Sequence, residues 1–457
     1  MMNSGAFWSG LEAISSACLS VVTSFVIARI IGPAELGIGA SVVALHVVLW
    51  VMINALFADA VVQRASMDDR LLSSAFWASA LIGCAGLVVQ AASGFGFAAM
   101  LDDRRLVPMA LLLATPLPVV GAAGPIQGLL TRERAYRGLA LRTLIGQGLG
   151  TVLGVAAAFG GAGAWAVVLQ QTTTSLLGAL ALLIGRGWRP EWRLSWSEVR
   201  TLLRVGLPLT ASTVVLIARY RLFAVLIGVT AGAAVLGQVH IAFRLVDTVR
   251  ELTFTALWRL MLPDLSEHQH SRASMLAQVD RWLRWSICLV FPLCAVLALA
   301  LTELVALLMG PAWAAGGQAA IPLVGMMALS TLLFPSGVAL IAFGQARYTL
   351  YGNIAAMLLA CGGVVLFRPQ DPWHAVLIWT LSQIAVYPYA MWVNARALGV
   401  PMVRPISGGL ALRVNSLCRV EPTSSSRPRN GSASGLRLRI DRKADEPDSG
   451  SHGIELN

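Results

Sequence analysis

The residues most able to do chemistry are two arginines, Arg219 and Arg221, which flank Tyr220 inside the apolar stretch 205–229. If that stretch crosses a bilayer as a helix, both guanidinium groups lie several turns from either end. Charge at this depth is costly and is usually kept for a function. The first expectation is a site for an anion that crosses the membrane.

Helical geometry limits how this pair can act. Positions two apart in an α-helix point about 200° from each other, so Arg219 and Arg221 cannot both face one cavity. One of them is expected to touch a ligand and the other to pair with a neighbouring helix. In the alternative interpretation both form ion pairs between spans, for which the nearby acids are few: Glu12, Asp59, Asp247, Glu251 and Glu303.

A second polar element lies in the segment that follows. His240, Arg244, Asp247 and Glu251 recur at spacings of four, three and four residues and share one helical face. That face is unfavourable against lipid, so it is predicted to line a water-filled cavity or the opposite half, with Arg250 beside it. Arg244 and Asp247 are spaced for an i,i+3 pair. The alternative is a salt-bridge network between helices without substrate contact.

The first span carries a smaller polar stripe at Glu12, Ser16 and Ser20. Hydroxyl groups at this spacing are typical of helix packing. A carboxylate inside the membrane can titrate, so Glu12 is a candidate for coupling transport to protons.

Composition defines the class of protein. Hydrophobic residues make up 57% of the 457 and charged residues 12%, with a mean hydropathy of +0.72, whereas soluble domains are about 25% charged. The chain is predicted to be an all-α polytopic membrane protein. Its net charge of +11 is assigned to orientation in the membrane rather than to nucleic acid.

Several function classes are excluded or disfavoured. The only lysine is Lys443, so the chain has no phosphate-binding GxxxxGK[ST] loop. The six cysteines are scattered without a zinc-ligand spacing. No soluble catalytic motif is present, so neither an enzyme activity nor a metal or other cofactor is expected.

Twelve apolar windows are long enough to cross about 30 Å of hydrocarbon. They are residues 6–30, 38–62, 71–97, 106–130, 141–160, 162–185, 202–228, 232–260, 283–308, 318–343, 348–367 and 373–397.

Arginine counts predict the orientation of these spans. Alternate connections carry 17 arginines on one side and 4 on the other, and positive charge concentrates on the cytoplasmic side. Both termini are therefore predicted to be cytoplasmic.

The spans divide six and six. We predict a first lobe over residues 1–185, a cytoplasmic amphipathic linker over 186–201 and a second lobe over 202–398. A plain solvated linker is the alternative for the middle segment. The phrases ARIIGPAELGIGA and AVLIGVTAGAAVLGQVHIA share an Ile-Gly turn followed by Leu-Gly, which indicates parallel repeats. Residues 399–457 are rich in Ser, Arg, Pro and Gly and are predicted to be a disordered cytoplasmic tail.

Several phrases over about residues 5–400 resemble bacterial polysaccharide flippases, the exopolysaccharide and O-antigen branch of the multidrug/oligosaccharidyl-lipid/polysaccharide exporter superfamily. The phrases are FVIARIIGPAELGIGASVVAL, GPIQGLLTRERAYRGLALRT, GAGAWAVVLQQ and VLGQVHIAFRLVDTVRELTFTALWRLMLPDLSEHQ.

This resemblance implies two six-helix lobes around a central cavity that opens alternately to each side of the inner membrane. The implied cargo is an oligosaccharide linked through pyrophosphate to a polyprenyl lipid, which polymerase and export machinery then use. By position, Arg219, Arg221 and Arg244 are the residues that would hold the anion, with Arg29 and Arg250 as further candidates. The chain departs from the pattern at Phe223, where related sequences often carry an Asp.

Three alternatives remain at this point. A cation-coupled drug exporter would share the fold but favour an acidic or aromatic cavity. A peptidoglycan-precursor flippase would use the same chemistry, and a non-transporting scaffold would need no site.

Overall fold

The predicted spans all fold as helices. The computed structural model describes residues 4–64, 68–185, 188–268, 271–342 and 347–398; the predicted tail lies outside them. The helices are α1 (Ser4–Gln63), α2 (Asp69–Leu101), α3 (Leu106–Ala114), α4 (Leu117–Arg132), α5 (Tyr136–Phe159), α6 (Trp165–Gly185), α7 (Trp196–Ala231), α8 (Ala233–Glu267), α9 (Arg272–Met309), α10 (Ala314–Ala319), α11 (Ile321–Ala342), α12 (Arg347–Phe367), α13 (Pro372–Ala385) and α14 (Tyr387–Leu398).

These helices account for twelve crossings in two lobes of six, as predicted. α1 supplies the first two because it bends at Gly32, whose φ of 79° and ψ of 172° are not helical. A positive φ of this kind is readily adopted only by glycine. The pairs α3 with α4, α10 with α11 and α13 with α14 each form one interrupted span.

Nine helical segments of the described chain meet a simple test of length and apolarity for membrane crossing, and Tyr351–Phe367 is apolar but shorter. α8 does not meet the test. Its polar stripe, which includes Arg244 and Asp247, interrupts the apolar sequence.

The two lobes begin with the same backbone motif. Gly232 between α7 and α8 has φ 88° and ψ 167°, close to the values at Gly32. Each of these glycines is followed five residues later by another, Gly37 and Gly237, so the two motifs lie 200 residues apart. The sequence comparison was wrong in matching the Ile-Gly pair at Gly228, which lies inside α7.

The lobes meet at these glycines. A methyl group added at Gly37 would lie 1.7 Å from the carbonyl oxygen of Ala233, and one added at Gly237 would lie 2.0 Å from that of Pro33. Only hydrogen atoms fit at both positions, so α1 and α8 approach backbone to backbone. We call this end of the bundle the glycine end.

The two lobes also touch along α1 at the opposite end of the bundle. We call it the arginine end, because Arg64, Arg70 and Arg132 lie at the helix ends there. A methyl group at Gly206 of α7 would lie 1.9 Å from the carbonyl oxygen of Leu56. The lobes therefore touch at both ends.

The segment between the lobes packs on the first lobe at the arginine end. Trp188 donates to Asp69 at 3.2 Å, and the rings of Trp77 and Trp192 stack with centroids 4.4 Å apart. The predicted linker contains no separate helix in its described part, because residues 188–195 are irregular and α7 begins at Trp196. The domain boundaries as such stay a prediction.

The glycine contact predicts how closure can be prevented. Gly37→Val should separate the lobes at the glycine end, because a side chain cannot fit against Ala233. Ser41, one turn further and 1% exposed, provides the readout. In a cysteine-free background carrying Ser41→Cys, labelling by a hydrophilic thiol reagent should rise several-fold.

Gly96→Val is the matched control, because an added methyl group there meets nothing within 4 Å. Equal labelling of Ser41→Cys in the Gly37→Val and Gly96→Val backgrounds would contradict the closure described here.

Candidate functional site

Arg219 points into the second lobe. Its Nη1 donates to Oδ1 of Asn353 on α12 at 2.9 Å and to Oε1 of Gln383 on α13 at 3.1 Å. The guanidinium carbon lies 5.3 Å from the ring centroid of Trp379, a cation–π distance. Neutral groups of its own lobe therefore hold this arginine.

Arg221 occupies the other side of α7. Its helical direction is within about 60° of Gly206, the residue that touches α1, and about 200° from Arg219. Its guanidinium carbon lies 5.5 Å from the ring centroid of Tyr220. Arg221 thus faces the boundary between the lobes, and it is close enough to Arg244 for the two charges to interact.

An aromatic cluster separates the two arginines. Tyr220 lies 4.6 Å from Phe243 and 6.1 Å from Trp379, measured between ring centroids. Phe223, the residue in place of the acid expected from the resemblance, is fully buried and lies 4.9 Å from Trp379. The cluster forms an apolar wall between the interior of the second lobe and the lobe boundary.

Arg244 connects the lobes. Its Nη2 donates to the hydroxyl of Ser20 on α1, while its Nε is buried without a partner among the described residues. The predicted pair between Arg244 and Asp247 is wrong. Asp247 pairs with Arg250 instead, at 2.8 Å, while Arg244 reaches across to Ser20; both arginines lie three residues from Asp247, so the spacing allowed either pair.

The remaining members of the polar stripe lie around Arg244. Tyr220 and His240 are within 3.4 Å through the phenol oxygen and Nδ1. Glu251 and Asp247 act on Arg244 through their charges, although neither forms an ion pair with it in the described structure. Arg221 and Arg244 are therefore two cations at the lobe boundary, and no carboxylate of the described residues forms an ion pair with either.

Arg29 lies elsewhere. Its Nη1 donates to the carbonyl of Leu308, in the last turn of α9 at the glycine end. Arg29 thus links the first lobe to the second, but it does so away from Arg221 and Arg244. The structure therefore does not place Arg29 with the other residues predicted to bind the anion.

Glu12 belongs to a polar cluster inside the first lobe. It accepts a hydrogen bond from Thr143 at 2.7 Å, and its charge acts on Arg142. Arg142 donates to Oε1 of Gln127, and its guanidinium carbon lies 5.7 Å from the ring centroid of Trp50. Arg142 is one of the 17 arginines assigned to the cytoplasmic connections in the sequence analysis. That assignment was wrong, because Arg142 lies inside α5 and contacts interior side chains.

Sequence reasoning missed the amides that hold these arginines. Asn353, Gln383 and Gln127 each stand in an apolar helix, where a polar residue is already a signal for function or packing. The sequence therefore showed that three amide side chains stand in apolar helices, but it did not show which arginine each of them contacts.

A charged group also lies at the glycine end, outside the spans. Arg105 bonds Asp103 at 2.8 Å and Glu35 at 3.1 Å. The hydrogen bond from Arg105 lowers the pKa of Asp103. Glu35 also accepts a hydrogen bond at 2.7 Å from the backbone N–H of Ala164 near the start of α6. These charged residues therefore connect helices of the first lobe and are paired with one another.

The described residues contain no cluster of His, Cys, Asp and Glu that could hold a metal ion. What the lobe boundary offers is two guanidinium groups, a hydroxyl and a buried phenol. Guanidinium donors match the oxygen atoms of phosphate and carboxylate groups. The chemistry of this arrangement suits an anion between two lobes, as expected for a two-lobed membrane transporter.

Comparison with known proteins identifies the family. Residues 26–316 match the family model described as "Polysaccharide biosynthesis protein", and the chain belongs to that family. It is similar to the succinoglycan biosynthesis transport protein ExoT of Rhizobium meliloti strain 1021, with 23% identity over 408 residues that cover 87% of this chain and 81% of ExoT. It is a polysaccharide-type member of the multidrug/oligosaccharidyl-lipid/polysaccharide exporter superfamily.

Solved structures share the fold. The inward closed conformation of the lipid II flippase MurJ superimposes with a TM-score of 0.73 at 11% identity, over 89% of this chain and 90% of MurJ. The inward-facing conformation of a multidrug resistance MATE family transporter gives 0.65 at 13% identity over 83% and 95% of the chains. The outward-facing conformation of such a transporter gives 0.52 at 14% identity over 85% and 94%.

The site predicts measurable anion binding. Inorganic pyrophosphate should bind the purified chain, and Arg221→Gln and Arg244→Gln should each weaken binding about tenfold or more. The reason is that a hydrogen bond to a charged group contributes about 1.5–3 kcal/mol, and about 1.4 kcal/mol is tenfold. Isothermal titration calorimetry in detergent measures the affinity.

Arg284→Gln is the control, because Arg284 is exposed on α9 and its described hydrogen bond goes only to the carbonyl of Asp280. An equal loss of affinity in all three variants would assign pyrophosphate binding to general charge rather than to the lobe boundary.

Proposed function

We propose that the protein flips polyprenyl-pyrophosphate-linked oligosaccharide repeat units across the cytoplasmic membrane by alternating access, for surface polysaccharide biosynthesis. The observation that carries the proposal is the pair Arg221 and Arg244 at the lobe boundary, where neither arginine forms an ion pair with a described carboxylate. The match to the family of polysaccharide biosynthesis proteins supports a saccharide cargo.

Transport of this cargo requires only noncovalent binding, since no covalent bond is made or broken. A diphosphate offers several oxygen atoms, and each guanidinium can donate to two of them in parallel. Both arginines are partly buried, so each charge interaction is stronger there than in solvent. The polyprenyl chain stays in the bilayer while the glycan passes through the polar interior.

The relatives support a lipid-linked cargo. ExoT is a transport protein of succinoglycan biosynthesis, and MurJ is a flippase for lipid II. The closure of the lobes at both ends, through Gly37 with Ala233 and Gly206 with Leu56, fits an intermediate of alternating access. Opening to either side requires one of these backbone contacts to separate.

Orientation is part of the proposal. With Arg142 assigned to the interior of the first lobe, the remaining arginine excess still favours a cytoplasmic arginine end. Both chain termini are then cytoplasmic, and the glycine end faces outward. Cargo enters from the arginine end, and on the far side polymerase and export machinery receive it.

Glu12 is the candidate for coupling transport to protons. It is bonded to Thr143 at 2.7 Å and lies near the charge of Arg142. Protonation of Glu12 would remove the only acidic charge acting on that arginine among the described residues, which would change the packing of α1 against α5.

Transport in cells tests the main proposal. In a bacterial strain lacking its own copy of the chain, Arg221→Gln and Arg244→Gln should lower surface polysaccharide at least several-fold compared with the unchanged chain. Lipid-linked oligosaccharide should accumulate on the inner leaflet, because the cargo anion is held less tightly in the transition between the two open forms. Chromatography of extracted lipid-linked saccharides measures the accumulation.

Arg284→Gln at equal membrane abundance is the control and should export normally. Full export by both boundary variants would refute the proposed anion site. Greater drug sensitivity without loss of polysaccharide would favour a multidrug exporter, and lysis on depletion would favour a peptidoglycan-precursor flippase.

A further inference from the structure

A groove opens between α8 and α9 at the arginine end of the second lobe. Its volume is about 640 Å³, and its described lining comes from these two helices alone. On α8, Leu257, Leu260 and Asp264 are spaced three and four residues apart and therefore share one helical face. Arg281 and Trp285 share a face of α9 in the same way. The groove is thus separate from the lobe boundary.

The groove is charged at one end and apolar along the rest. Asp264 and Arg281 lie nearest to the connection that joins α8 to α9. Leu257 lies seven residues before Asp264, which is about 10 Å along the helix, and Leu289 lies eight residues after Arg281, about 12 Å deeper. A phospholipid has the same order, with a charged headgroup at the membrane surface and acyl chains below it.

The apolar part of the groove faces away from the protein core. Leu260, Trp285 and Leu289 are 62%, 60% and 53% exposed. Exposed apolar patches of this kind mark sites of contact with a membrane or a partner. Tryptophan is also enriched at the level of the lipid headgroups, which is where Trp282 and Trp285 stand in a membrane-spanning α9. The bilayer is therefore the expected source of an occupant.

The two charges of the groove do not neutralise each other. None of the ion pairs among the described residues joins Arg281 to Asp264. Asp264 is held in place by Trp282, whose Nε1 donates to Oδ2 at 2.7 Å. This bond uses one carboxylate oxygen, and a carboxylate can accept several hydrogen bonds. The groove therefore offers a ligand one cation and one oriented anion.

This charge pattern matches a zwitterionic headgroup with a free amine. A guanidinium suits a phosphate, and an ammonium group has three N–H donors for a carboxylate. The indole rings of Trp282 and Trp285 can add cation–π attraction to the ammonium. Phosphatidylcholine lacks the N–H donors, because its nitrogen is trimethylated, and phosphatidylglycerol has no cation to place beside Asp264.

We propose that this groove binds one molecule of phosphatidylethanolamine from the leaflet at the arginine end. Arg281 binds its phosphate, Asp264 accepts hydrogen bonds from its ammonium group, and an acyl chain lies along Leu257 and Leu260. The inference goes beyond the proposed function and does not depend on the cargo. It makes a membrane lipid a specific ligand of the second lobe.

Native mass spectrometry of the purified full chain in detergent tests the site with dioleoyl lipids. The first phosphatidylethanolamine should bind at least about fivefold more tightly than phosphatidylcholine or phosphatidylglycerol. Asp264→Asn should remove this preference, although Asn still offers Trp282 an acceptor. Arg281→Gln should weaken the binding of all three lipids. The controls Asp280→Asn and Arg284→Gln change exposed residues of α9 outside the lining and should bind normally.

A groove-filling variant avoids reliance on the charged residues. Leu260 is 62% exposed, so Leu260→Trp can place a larger side chain in the groove without displacing the core. This variant should lose preferential binding of phosphatidylethanolamine. Leu252→Trp is the matched control, because Leu252 is 64% exposed on the same helix and lies outside the described lining.

The proposal fails if the unchanged chain binds phosphatidylethanolamine and phosphatidylcholine equally, or if Asp264→Asn keeps the preference. It also fails if Leu260→Trp binds phosphatidylethanolamine as well as Leu252→Trp does. Tighter binding of phosphatidylglycerol would assign the groove to anionic lipids instead. A dimer that only Leu260→Trp removes, without any lipid preference, would assign it to a second copy of the chain. Pyrophosphate binding at Arg221 and Arg244 is measured separately, so the proposed function stands or fails independently.

Discussion

A guanidinium group inside a membrane must have its donors occupied, and this requirement organises the interior of the protein. Neither lipid nor the apolar core offers an acceptor, so each uncompensated donor is costly. Arg142 and Arg219 meet the requirement in part with a glutamine oxygen and a tryptophan ring. Arg244 reaches across the boundary to Ser20, and its Nε stays unpaired. The polar residues of the surrounding helices therefore lie where they can accept hydrogen bonds from these arginines.

The duplicated architecture positions these groups without making the lobes equivalent. Both lobes start with a bent glycine, and Gly37 and Gly237 let the two backbones touch. The second lobe then departs from the first, because α8 carries Arg244, Asp247 and Arg250 where α1 is apolar. A shared scaffold thus holds an asymmetric charge distribution, which under the proposed function binds an anionic cargo.

The parts of this structure that depend on local sequence were predictable. Span positions followed from apolar length, and the opposite directions of Arg219 and Arg221 followed from the helical period. The contacts of Arg219 were not predictable, because Asn353 and Gln383 are 134 and 164 residues away in the chain. The error at Asp247 has a related cause. Arginines stand three residues on either side of it, and spacing alone cannot choose between them.

Under the proposed function, Phe223 leaves the charge in the second lobe available to an anionic cargo. An acid at this position would lie in the same cluster as Trp379, on which Arg219 rests, and would compete with any anionic ligand. With phenylalanine at this position, the hydrogen-bond partners of Arg219 are neutral amides, and the charges that act on it are those of Arg250 and Asp247. Burying an uncompensated cation is costly, so an anionic cargo lowers the free energy of closing the protein around it. Under the proposed function, cargo binding and closure of the protein are therefore linked through the arginines. Closure costs more free energy in the empty protein than in the protein with bound cargo.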